Sequence, residues 1–171
     1  MAKTKQRDQV DDFLEQDYVR DIPNLDLEVE GIVHRVAKIY KLLDRLFDRT
    51  LAEHGLTRVD SRILSTLSRK THARSAGKLA EIAELSSGAM TNRLDRLEEA
   101  GLVRRMRDPS DRRGVLVEMT PKGRRVYREA SGAEAAKEAL IASALTKKEK
   151  EQLNVLLRRL LLELDRLEDE A

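Results

Sequence analysis

Apolar residues recur every three or four positions along two long segments, one near each end of the chain. The first runs from Leu25 to about Glu53, and the second runs from Leu153 to Leu167. This spacing predicts long amphipathic helices, because it places the apolar side chains on one helical face. Only 8 glycines and 3 prolines interrupt a chain of 171 residues, and aromatic residues make up 3%. The sequence is therefore expected to fold mostly as helices, in one domain or one domain with an appendage.

The absence of cysteine narrows the chemistry that the chain can perform. With a Cys count of zero, disulfides, thiolate metal sites and cysteine nucleophiles are excluded. No apolar run approaches the length of a membrane span, and no signal peptide is recognised. We therefore expect a cytoplasmic protein that needs no cofactor or metal and makes no membrane contact.

The middle of the chain predicts a different local architecture. Short helices are expected at Arg58–Ser68, Ala76–Glu84 and Ser87–Ala100, with a polar stretch at 69–75. Two short strands, Leu102–Arg107 and Gly114–Thr120, then flank a turn rich in Asp, Pro, Ser and Gly. A helix–turn–helix followed by a hairpin is a winged helix.

Helix signals return after the hairpin. Thr120 and Pro121 start a helix to about Ala142 that Gly123 and Gly132 are expected to weaken. Thr146 and Glu149 form a capping box that starts the last helix.

These elements suggest three regions. Residues 1–24 are predicted to be an acidic extension with a short helix over 8–20. Residues 56–120 form the winged helix, and residues 25–55 with 121–171 form a helical dimerisation region. The leucine stripes exceed what a small core can cover, so pairing of two subunits is expected to bury them. An intrachain helical bundle is the alternative.

Charge is unevenly distributed along the chain. Residues 8–30 hold nine acids against one base, whereas residues 102–128 hold nine bases against three acids. Such asymmetry indicates a polyanion bound at one end, although solvated charged faces would give the same pattern. On the predicted helix at 87–100, Met90, Leu94 and Leu97 share the inward face. The candidate DNA contacts are Ser86, Ser87, Gly88, Ala89, Thr91, Asn92 and Arg96, followed in the hairpin by Arg112 and Arg113.

Each candidate DNA contact has a physical reason. Small residues at the helix start allow close approach to a groove, and an asparagine such as Asn92 can pair bidentately with adenine. Arg112 is expected to enter a narrow minor groove. Asp111 is expected to orient Arg113, because a carboxylate repels phosphate. The alternative for Thr91 and Asn92 is two solvated polar residues.

Several segments resemble the MarR family of transcriptional regulators. They are LAEIA at 79–83, LSSGAMTNRLDRL at 85–97, EEAGLVRR at 98–105, DPSDRRGV at 108–115 and MTPKG at 119–123. Within the family they resemble the PecS/HucR/TamR branch, and TamR most. The resemblance implies a homodimeric repressor that binds double-stranded DNA and releases it when a small anion binds.

The same resemblance implies a ligand site made of Arg93, Arg105, Arg62 and Asp17. Arg93 and Arg105 match ligand-binding positions of the branch. In this resemblance Asp17 stands where the branch has a tryptophan, and Arg62 stands where it has an aspartate. Losing the tryptophan removes a stacking partner for a purine, and an added arginine suits carboxylates. A polycarboxylate such as trans-aconitate or citrate is therefore favoured over urate. The alternative is that these arginines only pair with acids of the N-terminal helix.

Two other classes of protein are alternatives to this interpretation. An enzyme is disfavoured because no catalytic or metal motif is present, and His34, His54 and His72 stand apart. A coiled-coil scaffold would explain the leucine stripes of the long helices, but it would not explain the basic hairpin. Steep salt dependence in a DNA-shift assay separates DNA binding from both alternatives.

Overall fold

A computed structural model describes residues 7–14, 25–69, 74–108 and 114–170. The chain divides into two compact units, Met1–Glu53 and His54–Ala171. The seven helices of the described residues are α1 (Gln9–Phe13), α2 (Leu27–Glu53), α3 (Arg58–Ser68), α4 (Ala76–Ala83), α5 (Ser87–Glu99), α6 (Pro121–Ala142) and α7 (Lys147–Asp169). The strands are β1 (Arg74–Ser75), β2 (Val103–Arg107) and β3 (Val115–Met119). No helix in these ranges is long and apolar enough to cross a membrane.

The first unit consists of a short helix held against a long one. Val10 and Leu14 are buried, and Phe13 lies 5.2 Å from the His34 ring between centroids. Of the predicted helix over 8–20, the structure shows Gln9–Phe13 with Asp8 and Leu14 as its caps, and residues 15–20 lie outside the described residues. The 27-residue helix α2 follows the predicted helix closely.

The second unit contains a winged helix, as the sequence predicts. Its core is built from the inward faces that the periodicity indicates, and the largest of these side chains are at most 3% exposed. They are Ile63, Leu64, Leu67, Leu79, Met90, Leu94 and Leu97. Thr57, Ser75 and Ser86 cap α3, α4 and α5 through side-chain oxygens that accept backbone N–H groups.

The sheet corrects the prediction in one respect. The sequence predicted two strands, but the sheet has three, in the order β1-β3-β2. The additional strand β1 lies at the end of the polar stretch at 69–75, where the sequence predicts no strand. It pairs antiparallel with β3, and Arg74 stands opposite Val117. Two residues are too few to show the alternation of apolar and polar side chains that indicates a strand. Only the pairing with β3 therefore defines β1.

Gly123 has a packing role beyond its expected effect on helix propensity. Gly123 is buried, and a Cβ at this position would lie 2.0 Å from the backbone oxygen of Leu102. The glycine therefore allows α6 to start directly against the residue that precedes β2. At Gly132 a Cβ would meet nothing within 4 Å, so that glycine has no comparable packing role among the residues that the structure describes.

The long helices leave most of their apolar side chains exposed in the single chain. In α7 no residue is buried, and Leu157, Leu160 and Leu164 are 38%, 45% and 56% exposed. In α2 the residues Leu27, Val29, Ile32, Val33, Val36, Ile39, Tyr40 and Leu42 are also exposed. These faces are the ones that the sequence assigns to dimerisation.

Candidate nucleic-acid interface

The start of α5 combines a buried anchor with an exposed polar surface. Met90 is 1% exposed and fixes the helix to the core. The predicted contacts on this helix are all exposed, namely Ser86, Ser87, Gly88, Ala89, Thr91, Asn92 and Arg96. A Cβ at Gly88 would meet nothing within 4 Å, so the surface there is open. This is the surface that a recognition helix presents to a major groove.

Some of these side chains also serve the helix itself. The Ser86 hydroxyl accepts a hydrogen bond from the backbone N–H of Ala89 at 3.3 Å and so caps α5. The Thr91 hydroxyl donates to the Ser87 carbonyl at 3.0 Å. Asn92 makes no such bond in the described part of the chain, so its amide is available to a base edge.

Arg105 connects β2 to the side of α5. Its guanidinium donates to Asp95 at 2.6 Å, to Glu98 at 2.9 Å and to the Thr91 carbonyl at 3.2 Å. Its backbone N–H also donates to Glu98 at 2.9 Å. Burial acts to lower the pKa of Arg105. The hydrogen bonds to Asp95 and Glu98 outweigh this effect, so the pKa of Arg105 is raised. The helix and the first wing strand are therefore held together at two acids.

Arg93 connects α5 to the start of α3. It contacts Asp60 at 3.4 Å and the Thr57 hydroxyl at 3.4 Å, and its side chain is 25% exposed. The Asp60 carboxylate also accepts the Thr57 N–H at 2.8 Å, completing the capping box of α3. One buried carboxylate thus stabilises the start of α3 and holds α5 beside it.

The three arginines of the predicted ligand site that the structure describes each have acid partners of their own. Arg93 pairs with Asp60, Arg105 pairs with Asp95 and Glu98, and Arg62 lies 3.7 Å from Glu84. Asp17 lies outside the described residues, as do Asp111, Arg112 and Arg113 of the wing tip. Among the three arginines, Arg62 is the most exposed, at 55% of its side chain.

Two of the described acids at the N-terminal helix, Asp8 and Asp11, pair with an arginine that the sequence did not single out. Arg35 donates to Asp8 at 2.8 Å and to Asp11 at 2.6 Å. The Arg35 hydrogen bond is the largest cause that lowers the pKa of Asp8. For Asp11 the backbone N–H of Asp8 contributes most to the lowered pKa, followed by Arg35. Arg35 therefore holds α1 to α2.

Sequence reasoning missed the carboxylates that support α5. A signal existed for Asp60, because Thr57-x-x-Asp60 is a capping-box pattern in which the acid stands at the third helical position. Asp95 and Glu98 carried a weaker signal, since their spacing of three places them on one face of the helix. In the described ranges no group of three or more His, Asp or Glu residues is arranged to hold a metal ion.

Comparison with known proteins agrees with this geometry. The profile of the MarR family matches residues 56–115, which extend from the start of α3 to the start of β3. The HTH-type transcriptional regulator PecS of Dickeya dadantii is 30% identical over 153 residues, covering 88% of this chain and 92% of PecS. The chain belongs to the MarR family. It is a transcriptional regulator with a winged helix-turn-helix DNA-binding fold, and its relatives are regulators rather than enzymes.

Solved structures have the same fold. YusO from Bacillus subtilis superposes with a TM-score of 0.73 at 22% identity, covering 81% of this chain and 98% of YusO. A MepR variant from S. aureus, solved bound to an oligodeoxyribonucleotide, has a TM-score of 0.62 at 20% identity. It covers 78% of this chain and 97% of MepR. These comparisons reach the level of the family, and the assignment to the TamR type stays a prediction.

Proposed function

We propose that this protein is a homodimeric repressor that binds a pseudo-palindromic operator and releases it when a small polycarboxylate binds. The exposed start of α5, anchored by Met90 and held on two sides by ion pairs, is the observation that carries the DNA-binding part. In this arrangement α5 enters the major groove, and the Arg112 side chain at the wing tip enters a minor groove.

Substitution of Asn92 tests whether α5 recognises bases through direct hydrogen bonds. An operator would first be selected in vitro from genomic fragments, and its affinity then measured by fluorescence anisotropy beside that of an unrelated duplex. Asn92→Ala is expected to weaken operator binding by about 1–3 kcal/mol while leaving the unrelated duplex unaffected. Asn154→Ala is the matched control, because Asn154 lies on α7 and its amide donates to the Lys150 carbonyl. Equal affinities for the two variants would contradict the assignment of α5.

The wing has a separate test. Arg112→Ala is expected to weaken binding of the same operator, and to reduce the salt slope by about one if Arg112 contacts a phosphate. An unchanged slope with weaker binding would indicate that Arg112 reads groove shape. Unchanged affinity would remove the wing from the interface.

The apolar faces of the long helices support the dimer. Two recognition helices related by a two-fold axis would reach major grooves roughly 34 Å apart. Leu160 and Val155 on α7 are 45% and 51% exposed, yet they lie on different helical faces. Leu160→Glu is expected to shift the protein toward monomer in sedimentation at micromolar concentration, whereas Val155→Glu is expected to remain dimeric. A monomeric parent protein under the same conditions would contradict the dimer.

The ligand proposal rests on the exchangeable character of arginine–carboxylate pairs. Arg93 contacts Asp60, and Arg105 contacts Asp95 and Glu98, through one guanidinium nitrogen each, whereas a free polycarboxylate could engage either guanidinium bidentately. If such an anion took over one of these arginines, α5 would lose a support on that side and its affinity for DNA would fall. The shift is limited by the difference in the anion's affinity for the two states.

The ligand test is a DNA-release titration with citrate, trans-aconitate and urate. We expect release by the two carboxylates at lower concentrations than by urate, and weaker release from Arg93→Ala and Arg105→Ala. Release by urate at the lowest concentration would reverse the ranking. Undiminished release from both variants would place the ligand elsewhere, and absence of any release would leave a DNA-binding dimer without an anion ligand.

A further inference from the structure

Arg74 is an arginine whose buried nitrogen has no hydrogen-bond partner. Its Nε is the one buried side-chain nitrogen or oxygen in the described residues that lacks such a partner. The residue as a whole is half-buried. A desolvated cationic donor without an acceptor is unfavourable, so native structures seldom retain one without a reason.

The position of Arg74 in the sheet explains this burial. Arg74 stands opposite Val117 in the β1–β3 ladder, and Arg105 stands opposite the same residue from β2. Residues opposite each other in a ladder point to the same face of the sheet, so both arginines share the face of the fully buried Val117. They lie on opposite sides of that residue.

The two arginines differ in what neutralises them. Arg105 binds Asp95 and Glu98, and Arg104 on the other face pairs with Glu118. Within the ranges that the structure describes, no carboxylate lies in ion-pair distance of Arg74. Of the two arginines that stand opposite Val117, Arg74 is therefore the one whose charge is left for an external anion.

The location of Arg74 identifies that anion. Arg74 lies two residues before α4, the first helix of the helix–turn–helix. In this motif the first helix crosses the DNA backbone while the second enters the groove. We propose that Arg74 is a phosphate contact, which turns its guanidinium from the sheet face to a backbone phosphate when DNA binds. This inference rests on the proposed DNA-binding function.

A phosphate contact makes a quantitative prediction about salt. Each neutralised phosphate contributes about 0.9 to the slope of log affinity against log salt concentration. Arg74→Ala should lower that slope by about one unit. When the salt concentration rises fourfold, the DNA affinity of the variant should therefore fall by a factor about 3.5-fold smaller than the factor for the parent protein. The loss should be equal for operator and unrelated duplexes, because phosphates carry no sequence information.

The experiment compares Arg74→Ala, Arg74→Lys and Arg104→Ala by fluorescence anisotropy at several salt concentrations. Arg104→Ala is the matched control, because it removes an arginine of the same sheet that already has a carboxylate partner. We expect a reduced slope in Arg74→Ala, recovery of much of it in Arg74→Lys, and the parent slope in Arg104→Ala. Circular dichroism during heating establishes that each variant is folded.

Three outcomes would overturn the inference. A parent slope in Arg74→Ala with unchanged affinity would exclude the phosphate contact. A parent slope with lower affinity and a lower Tm would assign Arg74 a purely structural role. The third outcome is a parent slope in Arg74→Ala together with a difference in the response to inorganic phosphate. If phosphate raised the Tm of the parent protein but not that of Arg74→Ala, Arg74 would be assigned to the binding of a free anion. If the parent protein itself showed no steep salt dependence, the proposed function would fail, which distinguishes that failure from these three.

Discussion

Replacing Gly123 with alanine tests the close packing at the start of α6. The new Cβ would lie 2.0 Å from the Leu102 oxygen and 2.9 Å from both the Leu102 carbonyl carbon and the Met119 Cγ. Real Cβ atoms essentially never approach within 3.0 Å of such atoms, so the helix must move by about 1 Å. The Leu102 oxygen also accepts the Thr120 N–H at 3.0 Å, so this movement strains the helix cap as well.

The magnitude follows from two opposing effects. Overpacking of this kind costs about 1–3 kcal/mol, and the contact here is with backbone, which cannot turn aside. Alanine recovers up to about 1 kcal/mol through its higher helix propensity. With the strained cap included, we expect a net loss of about 2 kcal/mol, or a Tm lower by about 4–8 °C for a chain of this size.

The assay is thermal and urea unfolding followed by circular dichroism at one protein concentration, because association makes the unfolding of a dimer concentration-dependent. Gly132→Ala on the same helix is the matched control, and it should stabilise the protein by about 0.5–1 kcal/mol because nothing lies within 4 Å. If Gly123→Ala were as stable as Gly132→Ala, the argument from close packing would be refuted.

Two further substitutions test the ion pairs. Arg35→Gln should weaken the hold of α1 on α2, measured as faster hydrogen exchange of the α1 amides. Because the pKa values of Asp8 and Asp11 are lowered, this stabilisation is complete above about pH 3.8 and is lost as the pH falls through the lowered values. A difference between Arg35→Gln and the parent that persisted unchanged at pH 2 would contradict this account. Asp60→Ala should cost about 2–3 kcal/mol in urea unfolding, since it removes the capping box of α3 and leaves Arg93 unpaired. A change below about 0.5 kcal/mol would show that Asp60 supports neither element.

The predicted interface illustrates what could be found without a structure. The exposed residues at the start of α5 were predictable, because the buried residues Met90, Leu94 and Leu97 define the opposite face of the same helix. The carboxylates that hold this helix were not predicted. The sequence offers the acids of the N-terminal helix as alternative partners of Arg93, whereas its partner Asp60 lies 33 residues earlier in the chain. No local pattern connects residues at that separation.

The sequence by itself determined the elements whose signals are local. Helix periodicity, the Thr57 and Thr146 caps and Pro121 at the start of α6 act over three or four residues, so the helices they define occur where they were predicted. Tertiary structure alone decided the strand β1 and the requirement for glycine at Gly123. Both depend on segments far along the chain that approach each other only after folding, β3 for the strand and Leu102 for the glycine. A pattern that repeats every few residues carries no information about such contacts, because they are set by how the elements pack.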